Sequence, residues 1–287
     1  MVVMRDALLT LLADRKPQTI LVLGDSDTGK TTLMAALLTA WDAGGAVAVV
    51  DCDVGQSQIG PPTTVAWALI ERPFVGWRRT AVRGMAFTGS VSPEGNLDTF
   101  LEAVGRVVEG ARRQAPHLLI DTTGLVQGEL GLALKRRKLS LIKPDLILAL
   151  QREQELEPIL ADVPREIHVE RLAASPDCVR RSLAARAGWR DEQFARYFAN
   201  SVTHDLSFDR SQWMGIGPDW LTGKVTASPA ALMARVIGLR TDQDEDLALG
   251  LVRDVDGERR RLVVLSPLRN VAAVTRLVVG SIRWPQS

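Results

Sequence analysis

Gly24-Asp25-Ser26-Asp27-Thr28-Gly29-Lys30-Thr31 fits the phosphate-binding pattern GxxxxGK[ST] at every fixed position. The apolar run Thr19-Ile20-Leu21-Val22-Leu23 before it reads as a buried strand, and Thr32 to Trp41, rich in Ala and Leu, reads as a helix. Strand, glycine loop and helix are the context in which this pattern binds nucleotides. The glycines let the main chain curl until its N–H groups point inward, and the helix N-terminus adds positive potential. Gly24 through Thr32 are therefore the expected nucleotide-binding set. Within it, Lys30 reaches the β/γ-phosphates and the Thr31 hydroxyl ligates Mg2+.

Around this loop the chain has 287 residues, 46% of them apolar, enough for one large domain or a core domain with a small companion. A formal net charge of +1 excludes a bulk nucleic-acid coat, although it leaves room for a local basic groove. Two cysteines, Cys52 and Cys178, make neither a disulfide framework nor a metal centre, and three scattered histidines argue against zinc. The N-terminus lacks a signal-peptide pattern, and no apolar run reaches the roughly 18 residues of a membrane span. The expectation is a cytoplasmic protein without a membrane partner and without a large module ahead of the loop.

Ala46-Val47-Ala48-Val49-Val50 reads as a second strand and ends in Asp51-Cys52-Asp53-Val54-Gly55-Gln56. Carboxylates at the carboxyl end of a buried strand face the ligand crevice of an α/β sheet. Asp51 and Asp53 share a face of an extended segment. One can orient Mg2+ through water while the other approaches an attacking hydroxyl. The competing reading is that one acid caps the following turn. Leu118-Leu119-Ile120 delivers Asp121-Thr122-Thr123-Gly124 in the same way. Asp121 is the expected water-mediated Mg2+ residue, and Thr123 and Gly124 should approach the γ-phosphate or the acceptor. In Gly89-Ser90-Val91-Ser92-Pro93, Ser90 and Ser92 either contact phosphate or nucleic-acid backbone, or merely build a turn.

Residues 4 to 15 read as a helix, 65 to 70 as a short helix or strand, 81 to 89 as a strand and 153 to 162 as a helix. After the strand Asp145 to Leu150 comes Gln151-Arg152-Glu153-Gln154, not the Asn-Lys-x-Asp that reads guanine. Lys135-Arg136-Arg137-Lys138 ends a helical stretch, where it either complements the helix dipole or contacts backbone phosphate. Residues 176–200 are dense in arginine and read as helical from Cys178. Arg186 and Arg190, four apart, share one face and could close over transferring phosphates. Short β-like runs at 235–239, 247–252, 261–265 and 276–282 point to a small all-β module. The division expected is a phosphate-loop kinase domain over 1–218, with an arginine-rich lid near 176–200, and a β domain over 219–287. The fold class expected is α/β, a phosphate-loop NTPase with a mostly parallel sheet.

The chain resembles the RNA 5′-hydroxyl polynucleotide kinases of the pre-mRNA cleavage, tRNA-splicing and ribosomal-RNA-processing group. The likeness rests on Gly24 to Thr32, Asp51 to Gln56, Gly89 to Pro93, and Thr122-Thr123-Gly124 with Gly128. It extends to Pro144-Asp145, the tract Arg190 to Phe198, Gly223-Lys224-Val225, Leu249 to Val252 and Val279 to Ile282. It implies an enzyme that uses ATP, or GTP as the alternative, with Mg2+. Its partner would be single-stranded or end-exposed RNA or DNA with a 5′-hydroxyl. Lys30 and Thr31 would hold phosphate and metal, and Asp53 would act on the hydroxyl as base or orienting group. Gln56 would support the substrate, and Arg186 and Arg190 would be lid arginines. Eukaryotic members place Trp after the Thr-x-Gly motif to stack on the terminal base, where this chain has Leu125. The family's extra N-terminal domain is expected to be missing. Leu125 and the near-neutral charge keep open an NTPase or small-molecule kinase, and a non-catalytic nucleotide-binding scaffold is the third reading.

Overall fold

The structure, a computed structural model, describes residues 2–207, 212–215 and 229–285. Its first sheet takes β1 (Thr19–Gly24), β2 (Val47–Asp51), β3 (Thr64–Leu69), β4 (Gly84–Phe87), β5 (His117–Asp121), β6 (Leu146–Gln151) and β7 (His168–Ala173). The spatial order is β4-β3-β2-β5-β1-β6-β7. The five strands from β2 to β7 run parallel, whereas β3 is antiparallel to both of its neighbours. Continuous apolar runs suit strands covered on both faces. Alternation then sorts the side chains: Leu21 and Leu23 of β1 enter one core cluster, and Ile20 and Val22 enter the other.

Helices α3 (Leu97–Arg112), α4 (Gly128–Ile142) and α5 (Glu157–Leu160) cover the first face, while α1 (Val2–Arg15) and α2 (Lys30–Ala40) cover the second. α3 shows how its sequence sets this. Asn96 caps the start by accepting a hydrogen bond from Thr99 N at 3.1 Å, and Phe100, Val104, Val107, Val108 and Ala111 recur at helical spacing on the buried side.

The expected elements are present with adjusted limits. The 65–70 segment is strand β3, the 81–89 strand contracts to β4, and the 153–162 helix contracts to α5. α6 (Leu183–Phe198) starts five residues after Cys178, because Ser182 is its N-cap, accepting from Ala185 N at 3.1 Å.

A second, six-stranded sheet has the order β8-β12-β11-β10-β13-β9. It is built from β8 (Val202–Ser207), β9 (Gln212–Gly215), β10 (Arg235–Arg240), β11 (Asp246–Asp256), β12 (Arg261–Ser266) and β13 (Arg276–Arg283). The four β-like runs of the sequence are β10 to β13, and β8 already belongs to this sheet ahead of the expected 218/219 division. That division, like Gly223-Lys224-Val225, lies outside the described residues.

The two sheets meet at Phe87. Its backbone N–H donates to Asp246 Oδ2 at 3.0 Å, and its ring presses on Gly238 and Gly280 so closely that a Cβ at either would stand 2.8 Å from it. Phe194, Phe198 and Trp284 join Phe87 in a cluster that roots the end of α6 in the second sheet. Among the described residues no helix is long and apolar enough to cross a membrane.

Candidate active site

The phosphate loop leaves β1 and enters α2 at Lys30. Gly29 has φ +94°, a left-handed conformation that glycine adopts without strain. Asp27 is also left-handed, at φ +57°. Lys30 is buried, and its Nζ donates to the Gly24 and Asp25 carbonyls at 3.0 and 2.8 Å. Its ammonium is thus folded back over the loop it is expected to serve. Thr31 is half-buried and Thr32 exposed.

Asp51 and Asp121 end neighbouring parallel strands and are register partners. Asp51 Oδ2 accepts from Gln58 N (2.6 Å), Ile59 N (2.9 Å) and Ser57 Oγ (3.2 Å), while Oδ1 accepts from Asp53 N (2.9 Å). It therefore pins the whole 53–59 turn. Burial, helped by the charge of Asp121, pushes the Asp51 carboxyl up to about 7. Burial likewise raises Asp121 to about 6, against the opposing pull of Lys30. Thr31, Asp51 and Asp121 line one small cavity with Gln58 and Ile59. Two buried carboxylates beside a hydroxyl suit a divalent cation, whose charge would relieve their repulsion. Among the described residues no three His, Cys, Asp or Glu groups form a metal cage. Mg2+ takes much of its shell from water and phosphate, so it fits this sparse protein donor set.

Asp53 is half-buried. Its Oδ1 accepts from Gly55 N (3.2 Å) and Gln56 N (3.0 Å), and among the described residues nothing donates to Oδ2. Each carboxylate thus organises a turn, and Asp53 keeps one oxygen without a donor among the described residues. Gln56 Nε2 donates to the Gly55 and Arg186 carbonyls at 2.8 and 3.3 Å, and its Oε1 is buried without a partner.

The loop after β5 is pressed onto the phosphate loop. A Cβ on Gly124 would stand 2.2 Å from Ser26 Oγ and 2.4 Å from Ser26 N, so only glycine fits. Thr122 Oγ1 donates to the Val22 carbonyl at 2.9 Å. Lys135 Nζ donates to both the carbonyl oxygen and the hydroxyl of Thr123. Leu125 is half-buried and packs on the α3/α4 core. It is a packing residue here. Ser90 and Ser92 do turn work: Ser90 Oγ accepts from Ser92 N (3.2 Å), and Ser92 Oγ accepts from Glu94 N (3.3 Å). The two substrate-side loops nevertheless touch, since a Cβ on Gly55 would lie 2.8 Å from the Val91 carbonyl oxygen.

The arginine-rich segment closes over the phosphate loop. Arg186 Nη2 pairs with Asp27 Oδ2 at 2.7 Å, Arg181 Nε with Asp27 Oδ1 at 2.9 Å, and Arg180 Nη2 with Asp25 Oδ2 at 3.4 Å. Arg152, at the end of β6, donates to the Asp27 carbonyl at 2.6 Å. Burial raises the Asp27 carboxyl, but the hydrogen bonds from Arg181 and Arg186 outweigh it and hold the group below its ordinary value. Arg186 Nε, Arg190 Nε and Trp189 Nε1 are buried without partners. Buried donors are nearly always satisfied, so these atoms, with Gln56 Oε1, keep hydrogen-bonding capacity that a bound ligand could use.

The fold therefore gathers Lys30, Thr31, Asp51, Asp53, Gln56, Asp121, Thr123, Gly124 and Arg186 around one loop. It leaves Thr32 exposed and Leu125 half-buried against the α3/α4 core. Sequence reading missed Arg152, whose position at the crevice end of a parallel strand was the available signal. It also missed the acids Asp25 and Asp27 as docking points for the lid. The basic tetrad after Leu134 is split. Arg136 and Arg137 point outward to Asp162 and Asp98, whereas Lys135 and Lys138 are fully buried.

Comparison with known proteins follows these features. Residues 24–200 match the family described as mRNA cleavage and polyadenylation factor CLP1 P-loop. A polyribonucleotide 5′-hydroxyl-kinase of Pyrococcus horikoshii is 29% identical over 315 residues, covering 94% of this chain and 86% of the relative. Another, of Methanocaldococcus jannaschii, is 34% identical over 205 residues, 71% of this chain and 56% of that one. A CLP1 homolog of Drosophila sechellia is 30% identical, covering 88% of this chain and 70% of its own length. Among solved structures, Clp1p in a wild-type Clp1p–Pcf11p complex superimposes with a TM-score of 0.80 at 15% identity, covering 99% of this chain and 79% of that one. That last likeness is one of fold.

Proposed function

The chain belongs to the mRNA cleavage and polyadenylation factor CLP1 P-loop family, and on that footing we propose that it is an ATP-dependent kinase transferring the γ-phosphate to the 5′-hydroxyl end of RNA. Its kinase-named relatives support the activity. The observation that carries the reading is the set of buried, unpartnered polar atoms on Arg186, Arg190, Trp189 and Gln56, beside a phosphate loop already closed by arginines.

In this reading Lys30 swings its ammonium from the loop carbonyls to the phosphates. Asp53 Oδ2 accepts the proton of the 5′-hydroxyl, or holds its O–H in line, as the new P–O bond forms and the bond to ADP breaks. Arg186 and Arg190 supply fixed positive charge to the equatorial oxygens. Thr31, with Asp51 and Asp121 through water, would hold Mg2+, which when bound neutralises phosphate charge. GTP is the alternative donor, and single-stranded DNA the alternative acceptor.

Leu125, half-buried against the core, favours a second reading, an NTPase or small-molecule kinase, because base–aromatic stacking worth about 1–3 kcal/mol is missing at that position. Labelled ATP and a 5′-hydroxyl oligonucleotide separate the two. End-labelling is expected. Hydrolysis indifferent to oligonucleotide, with no label transferred, would replace the first reading by the second.

A further inference from the structure

α4 carries two lysines that the kinase reading does not use. Lys135 and Lys138 are three residues apart, share the inner face of the helix, and are both fully buried. Lys138 Nζ sits 4.8 Å from the centroid of the Phe100 ring and makes no hydrogen bond. Lys135 Nζ instead donates to Thr123 twice, to the carbonyl oxygen and to Oγ1. Among the described residues neither lysine forms an ion pair with a carboxylate. Burying a lysine amine without one is costly, and burial next to Lys138 and Lys30 holds the Lys135 amine well below its ordinary value; an apolar side chain of the same length would pack as well or better. Packing alone thus gives no reason for a lysine at 135.

What Lys135 holds gives one. Thr123 leads into Gly124, whose backbone touches Ser26 of the phosphate loop so tightly that no side chain fits between them. On the other side, Thr122 N donates to Asp121 Oδ1 at 2.7 Å, and its hydroxyl ties the loop to β1. The amine of Lys135 is therefore the third anchor of the 122–127 loop, which lies between an acid of the candidate metal site and the phosphate cradle. Resting on the kinase reading above, we propose that Lys135 is a positioning residue for phosphoryl transfer, fixing the Thr123–Gly124 loop against the phosphate loop from behind. Lys138, with no loop group in reach, does no such work.

The test compares Lys135→Met, which keeps length and bulk, with Lys138→Met in the full chain. For Lys135→Met, turnover on a 5′-hydroxyl oligonucleotide should fall about 10- to 100-fold, as when other supporting residues behind a site are lost. Its KM for ATP should stay within about threefold of wild type, because the loss falls on the transfer step. The melting temperature should hold or rise, since a buried polar amine has given way to an apolar side chain. Amide hydrogen exchange across 122–125 should quicken. Lys138→Met should keep wild-type turnover and wild-type exchange in that loop. Unchanged turnover or unchanged loop exchange in Lys135→Met would overturn the proposal, as would equal losses in both variants. Loop exchange is read without substrate. A wild-type chain that labels no oligonucleotide would therefore sink the kinase reading, whereas unaltered loop exchange in Lys135→Met sinks this one.

Discussion

At the scale of single residues, the site separates groups that bind from groups that act. Lys30 alone brings a mobile ammonium into the loop, and it is already hydrogen-bonded there. Lys30→Ala should abolish transfer while circular dichroism and the unfolding midpoint stay near wild type; label transfer at the wild-type rate would contradict its role. Asp53 differs in kind, because one oxygen builds the turn and the other is open. Asp53→Asn preserves the turn acceptor and removes the base. Turnover should fall by about 100-fold or more, while the nucleotide dissociation constant changes little. The buried acids carry a pH signature. Folding raises Asp51 and Asp121 from 3.8 towards about 7 and about 6, so the folded chain binds more protons than the unfolded chain across that window. Their contribution must therefore make the nucleotide-free protein less stable as pH rises through it. Calorimetry from about pH 5 to about pH 8 should show this decline flattened in Asp121→Asn, and Mg2+ with ATP should stabilise more at the upper end.

Elements decide how these groups meet. The segment from Arg180 to the first turn of α6 is held to the phosphate loop almost wholly by Asp25 and Asp27. Two loop acids thus stand where the lid arginines would otherwise meet only phosphate. Arg186 Nη2 is paired with Asp27, while its Nε has no partner among the described residues. Asp27→Asn keeps a residue that tolerates positive φ but removes the charge. Hydrogen exchange over 178–186 should rise, and turnover should become more sensitive to salt than in wild type. Exchange equal to wild type would show that other contacts hold the lid.

For the whole molecule, the second sheet anchors the arginine-bearing helix α6 to the phosphate-loop domain. The far end of α6 is buried against it through Phe194 and Phe198, and Tyr197 Oη accepts from Leu249 N at 2.8 Å. The loop at 89 is tied to the same sheet by Ser281 N, which donates to the Gly89 carbonyl at 2.8 Å. At the centre of this junction Asp246 takes two hydrogen bonds from Arg240, at 2.9 and 3.0 Å, and one from Phe87 N. Both side chains of that ion pair are buried. Asp246→Ala would strip the buried Arg240 guanidinium of its two short hydrogen bonds and leave it only the longer 3.7 Å pair with Asp244, a loss of up to about 3–5 kcal/mol. Denaturant unfolding should register that loss, and kinase activity should fall with it although residue 246 touches no phosphate group.

The local sequence determined the phosphate loop, the alternation of strands and helices, the acids at the strand ends and the four long strands of the second sheet. Each of these follows from short-range physics: glycine freedom, side-chain periodicity and the direction in which a parallel strand ends. Tertiary structure alone decided that Lys135 and Lys138 turn inward while Arg136 and Arg137 turn outward, that Leu125 packs half-buried against the core, and that Asp25 and Asp27 hold the arginine-rich segment. Those outcomes depend on which groups distant in sequence come within hydrogen-bond distance, from Lys135 and Thr123 at a separation of 12 to Asp27 and Arg186 at 159. A charged residue carries no local mark of the partner it will meet.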